Sequence, residues 1–331
     1  MTWNKDTVLE LSARFTLSRI LISAAEIDLF SKLKDGPKTV EQLCADEGWS
    51  ERALRILLDA LAAQELVRKA DDGTYSLDAS LVPALTKDSA ESILPMLLHR
   101  GSMWKTWSNL TEIVKNGKSP DPNAFEARPR EQIEAFIGAM HVIGRDLADK
   151  IADSVDLSPF TRMIDVGGAS GTYTIAFLRK APHLNATLVD RPEVVEMART
   201  RLAREQLLDR VKLVGLDFQN DPLPAGHDLA LVSAIIHQND SEENRVLYRR
   251  IHDCLITGGA ILIRDHVMDP SRTTPVDGAV FAVNMLVATP GGNTYTLEEI
   301  TEDLQSTGFT DVRLIRSGER MDHLVMASKA R

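Results

Sequence analysis

The stretch MIDVGGASGTYTIAFLRKAP, residues 163–182, decides the fold. It begins with an apolar run that ends in Asp165, continues through a loop of small residues and passes into a run with helical spacing. Backbone without side chains lets a ligand approach closely, and the first turn of a helix directs free N–H groups at the same place. The stretch therefore predicts a strand, a ligand-binding turn and a helix of a nucleotide-binding α/β domain.

The chain after residue 155 repeats this alternation. Strand-like runs alternate with helical runs, which predicts a mostly parallel, doubly wound sheet. The tail VRLIRSGERMDHLVMASKA adds two further strands joined by a short loop, so the sheet is expected to end in an antiparallel pair. The predicted strands cover 162–166, 186–190, 211–215, 229–234 and 260–265, and the predicted helices cover 172–180, 192–206 and 242–255.

The first half of the chain is mainly helical. The segment TVEQLCADEGWSERALRILLDAL predicts two short helices joined by a turn at Gly48, with Ser50 capping the second helix. ELVRKADDGTYSL predicts a hairpin that turns at Asp72 and Gly73. Helix, turn, helix and hairpin form a winged-helix pattern, and two longer helices are expected at about 90–116 and 130–154. The predicted boundaries are 1–90, 91–155 and 156–331.

Composition excludes several classes of protein. The 331 residues include 44% hydrophobic and 26% charged residues, as in ordinary globular proteins, and the formal net charge of −10 disfavours binding to nucleic acid or anionic lipid. Cys44 and Cys254 lie far apart, which argues for a reducing compartment. No signal peptide or membrane-length apolar run is found, so a cytoplasmic location is expected. The histidines outside the candidate site show no metal-ligand spacing: His183, His252, His266 and His323.

The glycine turn and two later aspartates point to a nucleoside ligand. From Asp165 the loop has D-x-G-x-x-x-G spacing rather than the G-x-G-x-x-G of dinucleotide sites, and the chain has no phosphate-binding P-loop. Asp190 ends the second strand, where a carboxylate receives ribose hydroxyls. Asp217 follows the third strand and could accept the adenine amino group, with Phe218 against the ring. Each feature taken singly also fits a tight turn, a helix cap or a solvated loop.

Four segments in this order resemble a known family. DVGGASG corresponds to D-V-G-G-G-x-G, LVDRPEVV to F-D-x-P-x-V, LDFQNDPLPAG to G-D-F-F-x-D-P-L-P, and TPGGNTYTLEEI to N-P-G-G followed by a T-x-x-E helix. The set resembles class I S-adenosylmethionine-dependent methyltransferases. More narrowly, nearly the whole chain resembles the small-molecule O-methyltransferases of the caffeate and hydroxyindole type. The resemblance implies a Rossmann-like methyltransferase fold preceded by a mainly helical winged-helix dimerisation domain.

This resemblance also implies a cofactor and an assembly. S-adenosyl-L-methionine would donate the methyl group, S-adenosyl-L-homocysteine would be the product, and no metal would be needed. Residues 1–90 would form a homodimer, 91–155 would contribute helices to the substrate pocket, and 156–331 would be the catalytic domain. The implied cofactor-binding residues are Gly167, Gly168, Gly171, Asp190, Arg191, Asp217, Phe218 and Ser233.

A histidine and an aspartate are the candidate catalytic residues. Removing the proton of a phenol near neutral pH benefits from a general base, and histidine suits that pH. SAIIHQNDSEEN aligns with the family segment L-H-D-W-x-D-E and puts His237 at the position of its base. Asp265, at the end of the fifth strand, would orient the imidazole and stabilise its cation.

The chain departs from the family pattern in two places. Gln238 and Asn239 replace the usual Asp-Trp pair, and Thr294 and Tyr295 replace a Glu-Arg pair that normally supplies a second acidic partner. Because threonine cannot be anionic, the expected reaction is O-methylation with a single acidic partner, while C- or N-methylation or a non-methylating reaction stays open. The predicted substrate residues, each equally consistent with a core or interface position, are Met103, Trp104, Trp107, Phe125, Phe136, Met140, His141, Asn284, Met285, Thr294 and Tyr295.

Two rival functions remain. A winged-helix regulator that senses a small molecule would share the pattern of elements, but its candidate recognition helix ERALRILLDAL carries Glu51 and Asp59 beside two arginines and is not basic. A nicotinamide-dependent enzyme would need the G-x-G-x-x-G loop that is missing. The favoured substrate is a small, hydroxylated and aromatic molecule, whose identity the sequence does not reveal.

Overall fold

The structure is a computed structural model that describes residues 2–45, 47–117 and 129–330. The chain divides into two compact units. Of the described residues, those up to 105 and 129–142 form the first unit, and 106–117 and 143–330 form the second.

Helices dominate the first unit. The predicted helix-turn-helix is confirmed: Gly48 has a positive φ of 67°, and the Ser50 side chain accepts a hydrogen bond from the backbone N–H of Ala53. The predicted hairpin is also present, with Gly73 at a φ of 83° in its turn. The elements are α1 Lys5–Glu26, α2 Leu29–Lys32, α3 Val40–Cys44, α4 Glu51–Ala63, β1 Arg68–Lys69, β2 Tyr75–Ser76, α5 Val82–Leu85 and the start of α6 Leu94–Trp107.

Helix α1 contributes little of its amino-terminal half to the core of this unit. Fully buried side chains such as Phe30, Leu58 and Tyr75 form that core. By contrast, the large apolar side chains in the first four turns of α1 include five that are about half exposed, which is unusual for so many neighbours on one helix. These exposed residues are Val8, Leu9, Leu11, Phe15 and Leu17.

The helix predicted at about 90–116 is in fact two helices. Helix α6 ends at Trp107, and α7 Leu110–Asn116 begins after Ser108 and Asn109. Serine and asparagine side chains compete for backbone hydrogen bonds and favour helix ends, which accounts for the break at this dipeptide. The other long helix, α8 Arg130–Asp153, agrees with its prediction at 130–154.

The second unit is built on a seven-stranded sheet. Its strands are β3 Arg162–Val166, β4 Asn185–Asp190, β5 Val211–Gly215, β6 His227–Ser233, β7 Leu255–Asp265, β10 Phe309–Arg316 and β11 His323–Lys329. The order is β10-β11-β7-β6-β3-β4-β5, and β11 runs antiparallel to both of its neighbours. The mostly parallel sheet with an antiparallel end is therefore confirmed.

Helices and a short ribbon complete the second unit. Strands β8 Val267–Met268 and β9 Tyr295–Thr296 pair in parallel apart from the main sheet. The helices that follow the parallel strands are α9 Thr172–Lys180, α10 Pro192–Arg204, α11 Ser241–Cys254, α12 Val276–Ala288 and α13 Leu297–Ser306.

Both faces of the main sheet are buried. Neighbouring residues of a strand point to opposite faces, and here they join different hydrophobic clusters: Met163 and Leu188 lie in one, Ile164 and Val189 in the other. Two apolar layers with parallel strands between them are the doubly wound arrangement that the alternation predicts.

The parallel strands finish at a common edge. Val166 lies opposite Val189 of β4 and opposite Val232 of β6, while Ser233 of β6 lies opposite Arg264 of β7. The turns that follow β3, β4, β6 and β7 therefore emerge together. The direction in which successive strands are added to the sheet reverses between β3 and β6. Open α/β sheets bind ligands at such a switch point.

Asp165 lies beneath this edge. The carboxyl is 1% exposed and accepts a hydrogen bond of 2.5 Å from the Thr174 hydroxyl on α9. Burial raises the pKa of Asp165 to about 7, and the hydrogen bonds from Thr174 act in the opposite direction. Asp165 thus joins the strand to the helix on either side of the glycine turn.

We expect Thr174→Val to lower the free energy of unfolding by about 1–3 kcal/mol, because it leaves a buried carboxyl without its donor. Loss of this bond raises the pKa of Asp165 further, so the cost should be larger at pH 8, where the ionised form is required, than at pH 5. Urea unfolding at both pH values measures this difference. An equal cost at both would show that the bond does not favour the ionised carboxyl.

Candidate active site

The glycine turn between β3 and α9 has no space for side chains. Gly167 and Gly171 have positive φ values of 72° and 77°. A Cβ on Gly167 would lie 2.5 Å from Ile235, and a Cβ on Gly168 would lie 2.6 Å from the Leu188 side chain. The bare backbone of the turn and the amino-terminal end of α9 form a cradle that a ligand can approach closely.

Asp190 closes one side of the cradle. The carboxylate is 8% exposed, and it accepts hydrogen bonds of 2.8 Å from the backbone N–H groups of Ala169 and Arg191. Burial raises its pKa to about 6 against the effect of these two bonds. An ionised carboxylate offers about four acceptor positions, so about two remain for the hydroxyls of a ribose.

Asp217 and Phe218 follow β5 at the same edge. The oxygens of Asp217 accept hydrogen bonds from the Gln219 N–H at 3.0 Å and the Asn220 amide at 2.8 Å. Burial is the largest effect on the pKa of Asp217 and raises it, but these bonds and two nearby arginines lower it on balance. The Phe218 ring lies 3.4 Å from the position of a Cβ on Gly167, so this ring borders the cradle.

These residues fit a nucleoside donor. The cradle admits a ligand against the backbone, Asp190 offers acceptors for a ribose, and Asp217 with Phe218 offers an acceptor and a ring face for a base. Among the other predicted cofactor residues, Arg191 caps α10 and Ser233 accepts a hydrogen bond of 2.9 Å from Arg264. Their contacts with a donor stay predictions.

His237 and Asp265 meet at the ends of β6 and β7. His237 lies in a one-turn 3₁₀ helix, Ile236–Gln238, and Asp265 is the last residue of β7. The imidazole Nδ1 is 2.9 Å from each carboxylate oxygen, and the residues are 5% and 2% exposed. The structure brings these two predicted catalytic residues together.

The ionisation of Asp265 determines the state of the imidazole. Burial raises the pKa of Asp265, but the adjoining His237 and the N–H of His266 outweigh burial and hold it below its usual value. An ionised carboxylate accepts hydrogen bonds and donates none, so the Nδ1 of His237 carries the proton. In the neutral tautomer that this bond selects, Nε2 has the lone pair that a general base needs.

Phe281 is a site residue that the sequence motifs do not reveal. Its ring stands edge-on to the His237 imidazole, with centroids 4.8 Å apart, and it also contacts His266 at 5.2 Å. Burial lowers the pKa of His266 to about 4, so that imidazole is neutral near pH 7. Phe281 precedes the predicted substrate residue Asn284 by one helical turn on α12, and this spacing is the only sequence signal that places it on the same face.

Two predicted substrate residues in the second unit contact each other. The indole N–H of Trp107 donates to the Asn284 side-chain oxygen over 3.0 Å. Met285, Thr294 and Tyr295 are all buried, with at most 7% exposure, and the Tyr295 hydroxyl donates to the carbonyl of Asn239. The contact of these residues with a substrate stays a prediction.

The remaining substrate candidates belong to the first unit or lie outside the described residues. The guanidinium of Arg19 lies 5.6 Å from the Trp104 ring centroid, and Phe136 meets His99 edge-on at 5.2 Å. Phe125 lies outside the described residues. Roles in substrate binding remain predictions for all the candidates on α6 and α8, which are Met103, Trp104, Phe136, Met140 and His141.

Within residues 2–45, 47–117 and 129–330, no three His, Cys, Asp or Glu side chains are grouped as a metal ion would require. In the same ranges, every helix is too short or too polar to cross a membrane.

Comparison with known proteins agrees with this geometry. Residues 107–310, more than half of the chain, match the O-methyltransferase domain family, and residues 9–80 match the O-methyltransferase dimerisation domain. The chain is 35% identical to 3-hydroxy-5-methyl-1-naphthoate 3-O-methyltransferase of Streptomyces sahachiroi, over 93% of this chain and 90% of that protein.

Two further proteins are similar along nearly their whole length. The tetracenomycin polyketide synthesis 8-O-methyl transferase of Streptomyces glaucescens is 32% identical, over 92% of this chain and 91% of that protein. The crystal structure of human N-acetylserotonin methyltransferase in complex with S-adenosylmethionine superposes with a TM-score of 0.86 at 25% identity, covering 100% of this chain and 99% of that one.

Asp190→Asn should weaken binding of S-adenosyl-L-homocysteine about 10- to 100-fold at pH 7.5, because hydrogen bonds to a charged acceptor are worth about 1.5–3 kcal/mol. The raised pKa of Asp190 has a second consequence. Affinity of the unmodified protein should fall as pH drops below about 6, where Asp190 takes up a proton. In Asp190→Asn the affinity should be lower and should lack the fall that protonation of Asp190 causes below pH 6.

Isothermal titration calorimetry across this pH range measures both effects. The matched control is Asp209→Asn, the same change at an exposed carboxyl in the turn Leu208–Arg210, which should leave affinity unchanged. Full affinity of Asp190→Asn at pH 7.5 would remove Asp190 from the binding site.

Proposed function

The chain belongs to the O-methyltransferases that carry an amino-terminal dimerisation domain and is an S-adenosylmethionine-dependent O-methyltransferase, and we propose that it methylates a phenolic hydroxyl of a small aromatic molecule with His237 as the general base. The hydrogen-bonded pair of His237 and Asp265, at the same sheet edge as the glycine cradle, is the observation that carries the proposal.

The proposed donor site consists of the cradle and the two carboxylates beside it. Gly167, Gly168 and Gly171 leave the backbone open, Asp190 receives the ribose hydroxyls, and Asp217 with Phe218 holds the adenine. Bound S-adenosyl-L-methionine supplies a methyl group on a sulfonium, which needs no further activation. The protein's remaining tasks are to orient the acceptor hydroxyl and to remove its proton.

His237 performs the proton removal in this proposal. With Nδ1 donating to Asp265, Nε2 is free to take the phenolic proton, and the Asp265 carboxylate stabilises the imidazolium that results. The edge of the Phe281 ring against the imidazole limits its rotation. No second carboxylate is required, because Asp265 presents both oxygens to Nδ1.

An aromatic acceptor is supported by the relatives and by the site. The names of the two Streptomyces relatives describe O-methylation in tetracenomycin polyketide synthesis and of a hydroxynaphthoate. Phe281 and the Trp107–Asn284 pair supply an aromatic and polar lining of the kind that binds a planar phenol. We therefore propose a fused-ring phenol as the acceptor.

The proposed assembly is a homodimer. The dimerisation domain is present, and the exposed apolar side chains of α1, including Leu11 and Phe15, form a surface suited to a second copy. We also propose a cytoplasmic location, in keeping with the free, buried thiols of Cys44 and Cys254. The net charge of −10 supports small molecules rather than nucleic acid or membranes as partners.

His237→Ala should reduce kcat about 10²- to 10⁴-fold, the range that general-base catalysis contributes. Affinity for S-adenosyl-L-homocysteine should be unchanged, because His237 is not among the proposed donor contacts. Asp265→Asn should also lower kcat by at least about 10-fold, since a neutral amide cannot stabilise the imidazolium. The assay follows release of S-adenosyl-L-homocysteine with 3-hydroxy-5-methyl-1-naphthoate and a panel of fused-ring phenols.

His183→Gln is the control: this part-buried histidine lies in the loop between α9 and β4, with its Nε2 3.3 Å from the Leu157 carbonyl oxygen. It should keep full turnover. Normal turnover by His237→Ala would exclude this residue as the base, and absence of turnover with every phenol in the panel would exclude the proposed acceptor class.

A further inference from the structure

The turn that carries His237 is held from two other segments of the chain. Its carbonyl at Ile236 accepts a hydrogen bond of 2.9 Å from the side-chain amide of Asn244 on α11. The carbonyl of His237 itself accepts one of 3.0 Å from the backbone N–H of Asn293, which lies between α12 and β9. These bonds matter because a 3₁₀ helix of one turn has few and poorly aligned hydrogen bonds of its own.

Asn239, two residues after the base, gathers three further contacts. It is 5% exposed, its amide donates to Asn244 at 3.0 Å, and its side-chain oxygen accepts from Gln219 at 2.9 Å. Its backbone carbonyl accepts the hydroxyl of Tyr295. The side chain and backbone of Asn239 are thus bound to α11, to the loop after β5 and to β9.

Tyr295 can act here only as a donor. The side chain is buried against apolar residues of the sheet, and burial raises the pKa of its hydroxyl above the usual value. The phenol therefore keeps its proton near neutral pH, and it donates that proton to the Asn239 carbonyl.

The segment before Tyr295 is pressed against the same turn. A Cβ on Gly292 would lie 2.4 Å from the carbonyl oxygen of His237 and 3.0 Å from that of Gln238. Only glycine allows the two backbones to approach so closely. Residues 292–295 therefore fit against the base turn through one backbone contact, one backbone hydrogen bond and one side-chain hydrogen bond.

We propose that Tyr295 is a positioning residue for the base. Its hydroxyl fixes the Asn239 carbonyl and thereby keeps the His237 turn in the position that places Nδ1 within hydrogen-bonding distance of both oxygens of Asp265. This inference rests on the proposed role of His237 as the general base. It differs from the expectation that Tyr295 contacts the substrate, because the hydroxyl is directed to the backbone of the turn.

Tyr295→Phe tests the proposal, since it removes one oxygen and keeps the ring. We expect kcat to fall about 5- to 30-fold, because misplacement of a base by a fraction of an ångström is costly, whereas KM and the affinity for S-adenosyl-L-homocysteine stay the same. A rise in KM at constant kcat would instead make Tyr295 a substrate contact and overturn the proposal.

The matched control is Tyr75→Phe. Tyr75 is a buried tyrosine of the first unit whose hydroxyl donates to Asp59 over 2.6 Å, so the change in chemistry is the same. Tyr75→Phe should lower the melting temperature without lowering kcat. If both variants lose kcat in proportion to their loss of melting temperature, the effect of Tyr295→Phe reflects stability alone. Tyr295 would then have only a structural role, and the proposal would fail.

Combining variants separates this proposal from the proposed function. In a His237→Ala background, Tyr295→Phe should cause no further loss, because there is no base left to position. An equal loss in both backgrounds would overturn the proposal. If His237→Ala keeps full turnover, the base assignment fails.

Hydrogen exchange of the base turn gives a readout that needs no substrate. Measured by mass spectrometry on residues 234–240 of the substrate-free protein, exchange should be faster in Tyr295→Phe than in the unmodified protein or in Tyr75→Phe. Unchanged exchange would show that Tyr295 does not hold the turn, whatever the outcome of the His237 experiment.

Discussion

The level at which β6 and β7 end is the constraint on which the site depends. Ser233 lies opposite Arg264, so Asp265 ends its strand where the neighbouring strand passes into the turn of His237. A slip of one residue would turn the Asp265 side chain to the other face of the sheet. The bond between His237 and Asp265 is thus set by main-chain hydrogen bonds within a buried sheet, which are among the least mobile parts of a protein.

Three buried carboxyls at this edge show how one physical effect yields different states. Burial raises the pKa of Asp165 to about 7 and that of Asp190 to about 6, whereas the pKa of Asp265 lies below its usual value despite burial. Their hydrogen-bond partners account for the difference: Thr174 for Asp165, two backbone N–H groups for Asp190, and an imidazole for Asp265. The imidazole beside Asp265 outweighs the effect of burial, whereas the donors beside Asp165 and Asp190 do not.

Much of the fold and of the donor side could be predicted from the sequence. Alternation of strands and helices is a local signal, and so is the spacing of glycines and acids at the ends of successive strands. His237 and Asp265 could be found because strand ends are brought together by topology. The break after Trp107 was not predicted, because the apolar spacing continues through it and only the short polar pair Ser108–Asn109 marks the new helix.

Contacts that depend on how a helix packs could not be predicted from the sequence. Phe281 meets His237 because α12 lies against the base turn, and no motif indicates which face of α12 does so. Trp107 and Asn284 are 177 residues apart, and each could equally have been a core residue until the structure placed them 3.0 Å apart. Tyr295 was identified as a departure from the family pattern. Its partner could not be predicted, because a hydrogen bond to the backbone carbonyl of Asn239 does not depend on the type of residue there.

The structure explains the departure at Asn239 together with Gln219, a residue that the sequence did not single out. In the sequence the two residues lie twenty positions apart and nothing connects them. In the structure the two amides are hydrogen-bonded at 2.9 Å, and Asn239 binds Asn244 as well. Asn239 is buried, and a buried polar atom without a partner costs about 1–3 kcal/mol, so the Gln219 amide stabilises the turn by satisfying the Asn239 side-chain oxygen. Replacing Gln219 by an apolar residue would leave that oxygen without this donor and would remove a link between the loop after β5 and the turn of the base.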